Sequence, residues 1–139
     1  MKQGTTDLRA TDLMQRDVIT IAPETPILDV YRMFVEEEIH GAPVVDESGS
    51  VSGVVSTLDL LRFGNEEAYI SRDSAGQPTA DDAATRELVT VGPDATVEEV
   101  ARTMLAQHVH RVLVVDKRRE LLGVISTFDL LRIVAALDN

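Results

Sequence analysis

Gly53-Val54-Val55-Ser56-Thr57-Leu58-Asp59-Leu60-Leu61-Arg62 returns 70 residues later as Gly123-Val124-Ile125-Ser126-Thr127-Phe128-Asp129-Leu130-Leu131-Arg132. Each copy is a short apolar, β-branched run that ends in a hydroxyl, with an aspartate three residues on and helical spacing of apolar residues after it. A strand that feeds a helix is the local reading. A self-match at fixed spacing makes internal duplication the global one.

The match extends outward without a gap. Val18-Ile19-Thr20-Ile21-Ala22-Pro23 corresponds to Leu88-Val89-Thr90-Val91-Gly92-Pro93, and His40 to Val44-Val45-Asp46 corresponds to His110 to Val114-Val115-Asp116. Over 18–62 against 88–132 there are 16 identities in 45 positions. Each half therefore predicts a strand–helix–strand–strand–helix unit. The opening strand is Val18 to Ile21, and Thr25-Pro26 reads as an N-cap with proline at the first helical position. Ile27, Val30, Tyr31 and Phe34 form the apolar face of a helix, which His40-Gly41 ends. Ala42 to Val45 and Val51 to Val55 form a hairpin around Asp46-Glu47-Ser48-Gly49-Ser50. A short lead-in helix is expected at Ala10 to Gln15, mirrored at Ala80 to Thr85. The domain reading is repeat 1 over 8–64, a linker over 65–79 and repeat 2 over 80–137. One repeat alone offers little core, so the two are expected to pack as a pseudo-twofold pair.

Composition narrows the function. Hydrophobic residues are 44%, charged residues 27%, and there is no cysteine. Disulfides, thiolate metal sites and cysteine nucleophiles are thereby excluded. No apolar run approaches the ~20 residues that span a bilayer, and the first residues carry no secretory apolar core; a cytoplasmic setting is the expectation. The net charge of −11 repels nucleic acid. No Gly-x-Ser-x-Gly elbow, phosphate-binding Walker loop or His-Glu-x-x-His is present, and no enzymatic activity is expected. Glu36-Glu37-Glu38 reads as a solvated helix end, Met33 and Met104 as core filler, and Leu28 as an apolar position facing a partner.

Candidate chemistry concentrates at the repeated junction. Asp59 and Asp129 can each accept two hydrogen bonds from a ligand. Ser56-x-x-Asp59 and Ser126-x-x-Asp129 also match a helix capping box, and the two roles are compatible. Ser56, Thr57, Ser126 and Thr127 lie where free backbone N–H groups and the positive helix end favour an anion. His110-Arg111 breaks the symmetry: the first copy has His40-Gly41, with no fixed charge. Arg111 reads either as a fixed bidentate donor for an anion or as a surface arginine paired with a neighbouring acid.

These blocks, in order and twice, resemble a tandem pair of CBS domains, the cystathionine-β-synthase modules that form a Bateman module. The resemblance covers about residues 10–62 and 80–135, so the protein resembles a stand-alone pair. It implies an α/β fold in which two units pack by their sheets around a pseudo-twofold axis. It also implies clefts between the repeats for AMP, ADP, ATP or S-adenosylmethionine, with no required cofactor. By that resemblance Asp59 and Asp129 face ribose, and Ser56, Thr57, Ser126 and Thr127 face phosphate. Thr20, Ile21, Ala42, Thr90, Val91 and Val112 wall the adenine beside His40, His110 and Arg111. The cleft of Ser56 and Asp59 would contain His110 and Arg111 and hold phosphate better. A homodimer and a separate effector protein are the implied partners. A structural subunit with no physiological ligand is the alternative.

Overall fold

The computed structural model describes residues 7–63 and 78–137. Most of the expected linker, and the polar start at 1–6, lie outside the described residues. The chain divides into two compact units, one of Ile19–Leu88 and one of Met1–Val18 with Val89–Asn139.

The Ile19–Leu88 unit holds α2 (Ile27–Glu37), β1 (Gly41–Val45), β2 (Val51–Ser56), α3 (Thr57–Phe63) and α4 (Ala80–Ala83). The other holds α1 (Ala10–Leu13), β3 (Thr90–Val91), α5 (Val97–Gln107), β4 (Arg111–Val115), β5 (Leu121–Ser126) and α6 (Thr127–Leu137). The lead-in helix of each repeat is thus packed in the unit built on the other repeat's hairpin. Each unit has its own core. Ile21, Ile27, Val30, Phe34, Val44, Val55 and Leu60 form one; Leu13, Met14, Val100, Met104, Val112, Val114 and Ile125 form the other.

The helices follow from their spacing. Ile27, Val30 and Phe34 are the buried residues of α2, and Val100 and Met104 those of α5. Their ends differ from the sequence expectation. α2 starts at Ile27 with Pro26 at the N-cap and no side-chain cap bond, whereas α5 has Thr96 in a reciprocal capping box with Glu99. Neither helix runs on to the His-Gly or His-Arg pair. α2 stops at Glu38 (φ 54°) and α5 at His108 (φ 55°), both left-handed. The backbone N–H groups of Ile39 and Val109 then bond back to the carbonyls of Phe34 and Met104, at 3.1 and 3.0 Å. Those bonds, and the packing of Ile39 and Val109 on the cores, hold non-glycine residues in a conformation that glycine adopts more readily. Gly41 opens β1 instead.

β1 and β2 pair antiparallel, as do β4 and β5. The Asp46 carboxylate closes the first turn, accepting from the N–H groups of Ser48 and Ser50 at 2.9 and 3.1 Å. The Ser48 hydroxyl and these N–H groups hold its pKa below the ordinary carboxylate value. In the second turn Arg119, with φ 67°, stands where the first has Gly49.

The opening strand is shorter than the sequence predicts. β3 is two residues, paired parallel to β4, and in the first repeat only Ile21 bridges to Val44. Proline explains the difference. Leu113 donates its N–H to the Val89 carbonyl at 3.0 Å. The matching position is Pro43, which has no N–H to give.

Beyond each lead-in helix the chain adds a short antiparallel bridge to the hairpin. Gln15 and Val124 exchange backbone bonds of 2.8 and 3.0 Å, and Thr85 and Val54 bonds of 2.9 and 3.0 Å. Gly123 and Gly53 permit this approach. A Cβ on Gly123 would lie 2.8 Å from the Gln15 carbonyl oxygen, and one on Gly53 2.9 Å from that of Thr85. No helix among the described residues is long and apolar enough to cross a membrane.

Candidate functional site

The two Ser-x-x-Asp junctions are built alike. β2 ends at Ser56 and α3 begins at Thr57, whose N–H bonds to the His40 carbonyl at 2.9 Å; Thr127 bonds to the His110 carbonyl at the same distance. That bond fixes each helix start to the first residues of the hairpin. Ser56 donates its N–H and its hydroxyl to Asp59 Oδ2 at 2.9 and 3.0 Å, and its Oγ accepts from the Asp59 N–H at 3.1 Å. Ser126 and Asp129 repeat this at 2.8, 3.1 and 3.2 Å. Both are reciprocal capping boxes.

The second carboxylate oxygens have partners the sequence reading missed. Asp59 Oδ1 accepts from the Thr85 hydroxyl at 2.9 Å. Asp129 Oδ1 accepts from Gln15 Nε2 at 3.0 Å and from Arg132 Nη1 at 2.9 Å. Gln15 and Thr85 are themselves 70 residues apart. The repeat offset was therefore the signal that could have found them, once the exchange of lead-in segments was known.

The remaining candidates fall into three groups. Arg111, His110, His40 and Thr20 are exposed, and among the described residues no ion pair to Arg111 forms. In the β4–β5 register Arg111 stands opposite Ser126, as Gly41 stands opposite Ser56. Paired positions of this kind put their side chains on one face of the sheet, so Arg111 shares a face with the Ser126 hydroxyl. Ile21, Ala42 and Val112 are buried at 1, 2 and 1% exposure. Their side chains belong to the cores, and any polar contact from them would come from backbone. Thr90 and Val91 are half-buried in β3. A shallow depression lined by Ala22, Pro23, Glu24, Val45 and residues 46–48 contains none of the candidates.

Comparison with known proteins identifies this arrangement. The CBS domain matches the chain twice, over residues 10–66 and 80–136. The gamma-3 subunit of the 5'-AMP-activated protein kinase of Sus scrofa is 30% identical over 119 residues, covering 84% of this chain and 23% of that subunit. The chain thus spans less than a quarter of that relative's length. The crystal structure of CBSX2 in complex with AMP superposes with a TM-score of 0.77 at 27% identity, covering 94% of this chain and 98% of that one. CBSX2 from Arabidopsis thaliana gives 0.78 at 26% identity, covering 94% and 96%. The chain belongs to the CBS domain family and carries two of its repeats.

Proposed function

We propose that the protein is a regulatory binding module for adenosine-containing ligands, AMP, ADP, ATP or S-adenosylmethionine, and that it transmits their binding to an effector protein. The observation that carries this reading is the duplicated junction. In each repeat a carboxylate stands at the start of a helix, one oxygen fixed by the serine cap. CBSX2, with which the chain shares its fold and 27% of aligned residues, is seen with AMP. Asp59 and Asp129 are the ribose candidates, and the hydroxyls of Ser56, Thr57, Ser126 and Thr127 are the phosphate candidates. Thr20, Ile21, His40, Ala42, Thr90, Val91, His110 and Val112 are the adenine candidates. Arg111 is exposed and has no ion-pair partner among the described residues, so it can meet phosphate without first breaking a pair. The alternative, a purely structural subunit, has no comparable observation in its favour.

A thermal-shift screen with AMP, ADP, ATP, S-adenosylmethionine and NAD tests the reading. A ligand at 100 times its Kd adds about 2.7 kcal/mol of stability by mass action, and at least one adenine nucleotide is expected to raise Tm. In Arg111→Ala the affinity for phosphorylated ligands is expected to fall about tenfold, the scale of one charge-assisted contact. A flat screen at millimolar ligand would overturn the proposal in favour of the structural subunit.

The same reading includes a homodimer in a cytoplasmic setting. Leu58 and Leu61 on α3 are 52 and 70% exposed, and Phe128, Leu131 and Val134 on α6 are 64, 60 and 56% exposed. On each helix by itself, exposed apolar side chains of this kind mark an interaction face. Sedimentation at micromolar concentration is expected to show a dimer; a monomer would remove this part of the reading.

A further inference from the structure

The two aspartates are copies in sequence, but their surroundings differ. Asp59 accepts three side-chain or cap hydrogen bonds, two on Oδ2 and one on Oδ1. Asp129 accepts four, two on each oxygen. A carboxylate has about four acceptor sites, so Asp129 is saturated within its own unit. It is also the one buried charged residue among those described, with a side chain only 4% exposed, and it is ion-paired with Arg132 at 2.9 Å.

Three positions separate the copies. Arginine follows both aspartates, as Arg62 and Arg132, but among the described residues only Arg132 forms the pair. Its guanidinium also lies over the Phe128 ring, 5.2 Å from the centroid. The first repeat has Leu58 there, with no π face to hold a cation. The second difference is Gln15 against Thr85. An amide donor fixed by the backbone bridge to Val124 braces Asp129. A hydroxyl, which can rotate and accept as well as donate, contacts Asp59. The third is Arg111 against Gly41.

We infer that Asp59 is the single carboxylate available to a ribose, and that Asp129 is a structural brace held by Gln15, Arg132 and Phe128. To accept a diol Asp129 must release the Gln15 amide and the Arg132 guanidinium, leaving a buried charge unpaired. Asp59 needs only a turn of the Thr85 hydroxyl. The module therefore takes one adenosine ligand per chain. This rests on the nucleotide reading for the ligand, but the brace itself does not.

The test uses the full chain with Asp59→Asn, Asp129→Asn and Phe128→Leu, followed by melting point and by calorimetric titration with AMP and ATP. Wild type is expected to bind one nucleotide per chain. Asp59→Asn should weaken binding at least about tenfold and lower Tm by no more than about 3 °C. Asp129→Asn should lower Tm by roughly 10 °C and change affinity less than about twofold. If Asp129→Asn does not fold, that loss supports the brace, and Phe128→Leu gives the binding readout. It leaves Asp59 in place and removes only the ring under Arg132, so affinity within about twofold of wild type is expected and a larger loss would overturn the inference. Two nucleotides per wild-type chain, or lost binding in a folded Asp129→Asn, would overturn the inference. So would a Tm loss in Asp59→Asn equal to or larger than that in Asp129→Asn. If wild type binds no nucleotide, the functional reading fails, and the order of the two Tm losses still decides the brace.

Discussion

Replacing Gly123 by alanine is expected to destabilise the protein by about 1–3 kcal/mol, the usual cost of forcing extra volume into a packed contact. The new Cβ would lie 2.7 Å from the Met14 sulfur and 2.8 Å from the Gln15 carbonyl oxygen. The sulfur ends a flexible side chain and can move. The carbonyl belongs to a backbone bridge, and its N–H partner is Val124, next to the substituted residue. Relief therefore requires loosening the bridge itself. Gly53→Ala should behave in the same way against Thr85 and Ala84. Gly92→Ala is the control, because a Cβ there meets nothing within 4 Å. Urea midpoints compare the three directly. A Gly123→Ala midpoint no lower than that of Gly92→Ala would show that the bridge does not need its glycine.

The second large effect is expected at Ile125. Its side chain is fully buried and packs in the core with Val100, Val112 and Val114. Ile125→Ala should cost about 2–5 kcal/mol from lost transfer free energy and the cavity left behind. That is a large share of the ~5–15 kcal/mol that holds a typical domain folded. Thermal unfolding measures it, and a loss below about 1 kcal/mol would mean that this core collapses around the gap.

Much of this fold is legible in the sequence because it repeats. The duplicated Gly-to-Arg stretch gives the strand–helix junctions, and the spacing of Ile27, Val30 and Phe34 gives the helix face that is buried. The Ser-x-x-Asp spacing gives the capping boxes. What escapes is decided by single groups or by distant partners. β-branched residues at Val18 to Ile21 signal an extended strand, yet pairing there depends on an N–H that Pro43 lacks. The helix ends at Glu38 and His108 are set by returning backbone bonds and by packing of the next residue, so no glycine marks them. Gln15 looks like an ordinary polar residue at the end of a lead-in helix. Its contact with Asp129 spans 114 residues of chain and becomes visible only once Gln15 is seen bonded to Val124.

The exchange of lead-in segments bears on how such a chain can be inherited. A gene fragment encoding repeat 1 as the sequence divides it would carry Ala10–Leu13, which packs with β5, and would omit Ala80–Ala83, which packs with β2 and α3. It would encode one hairpin without its own closing segment and one closing segment without its hairpin. Recombination at the repeat boundary therefore yields two incomplete products. Within one chain, the smallest piece that keeps every such contact is the doublet.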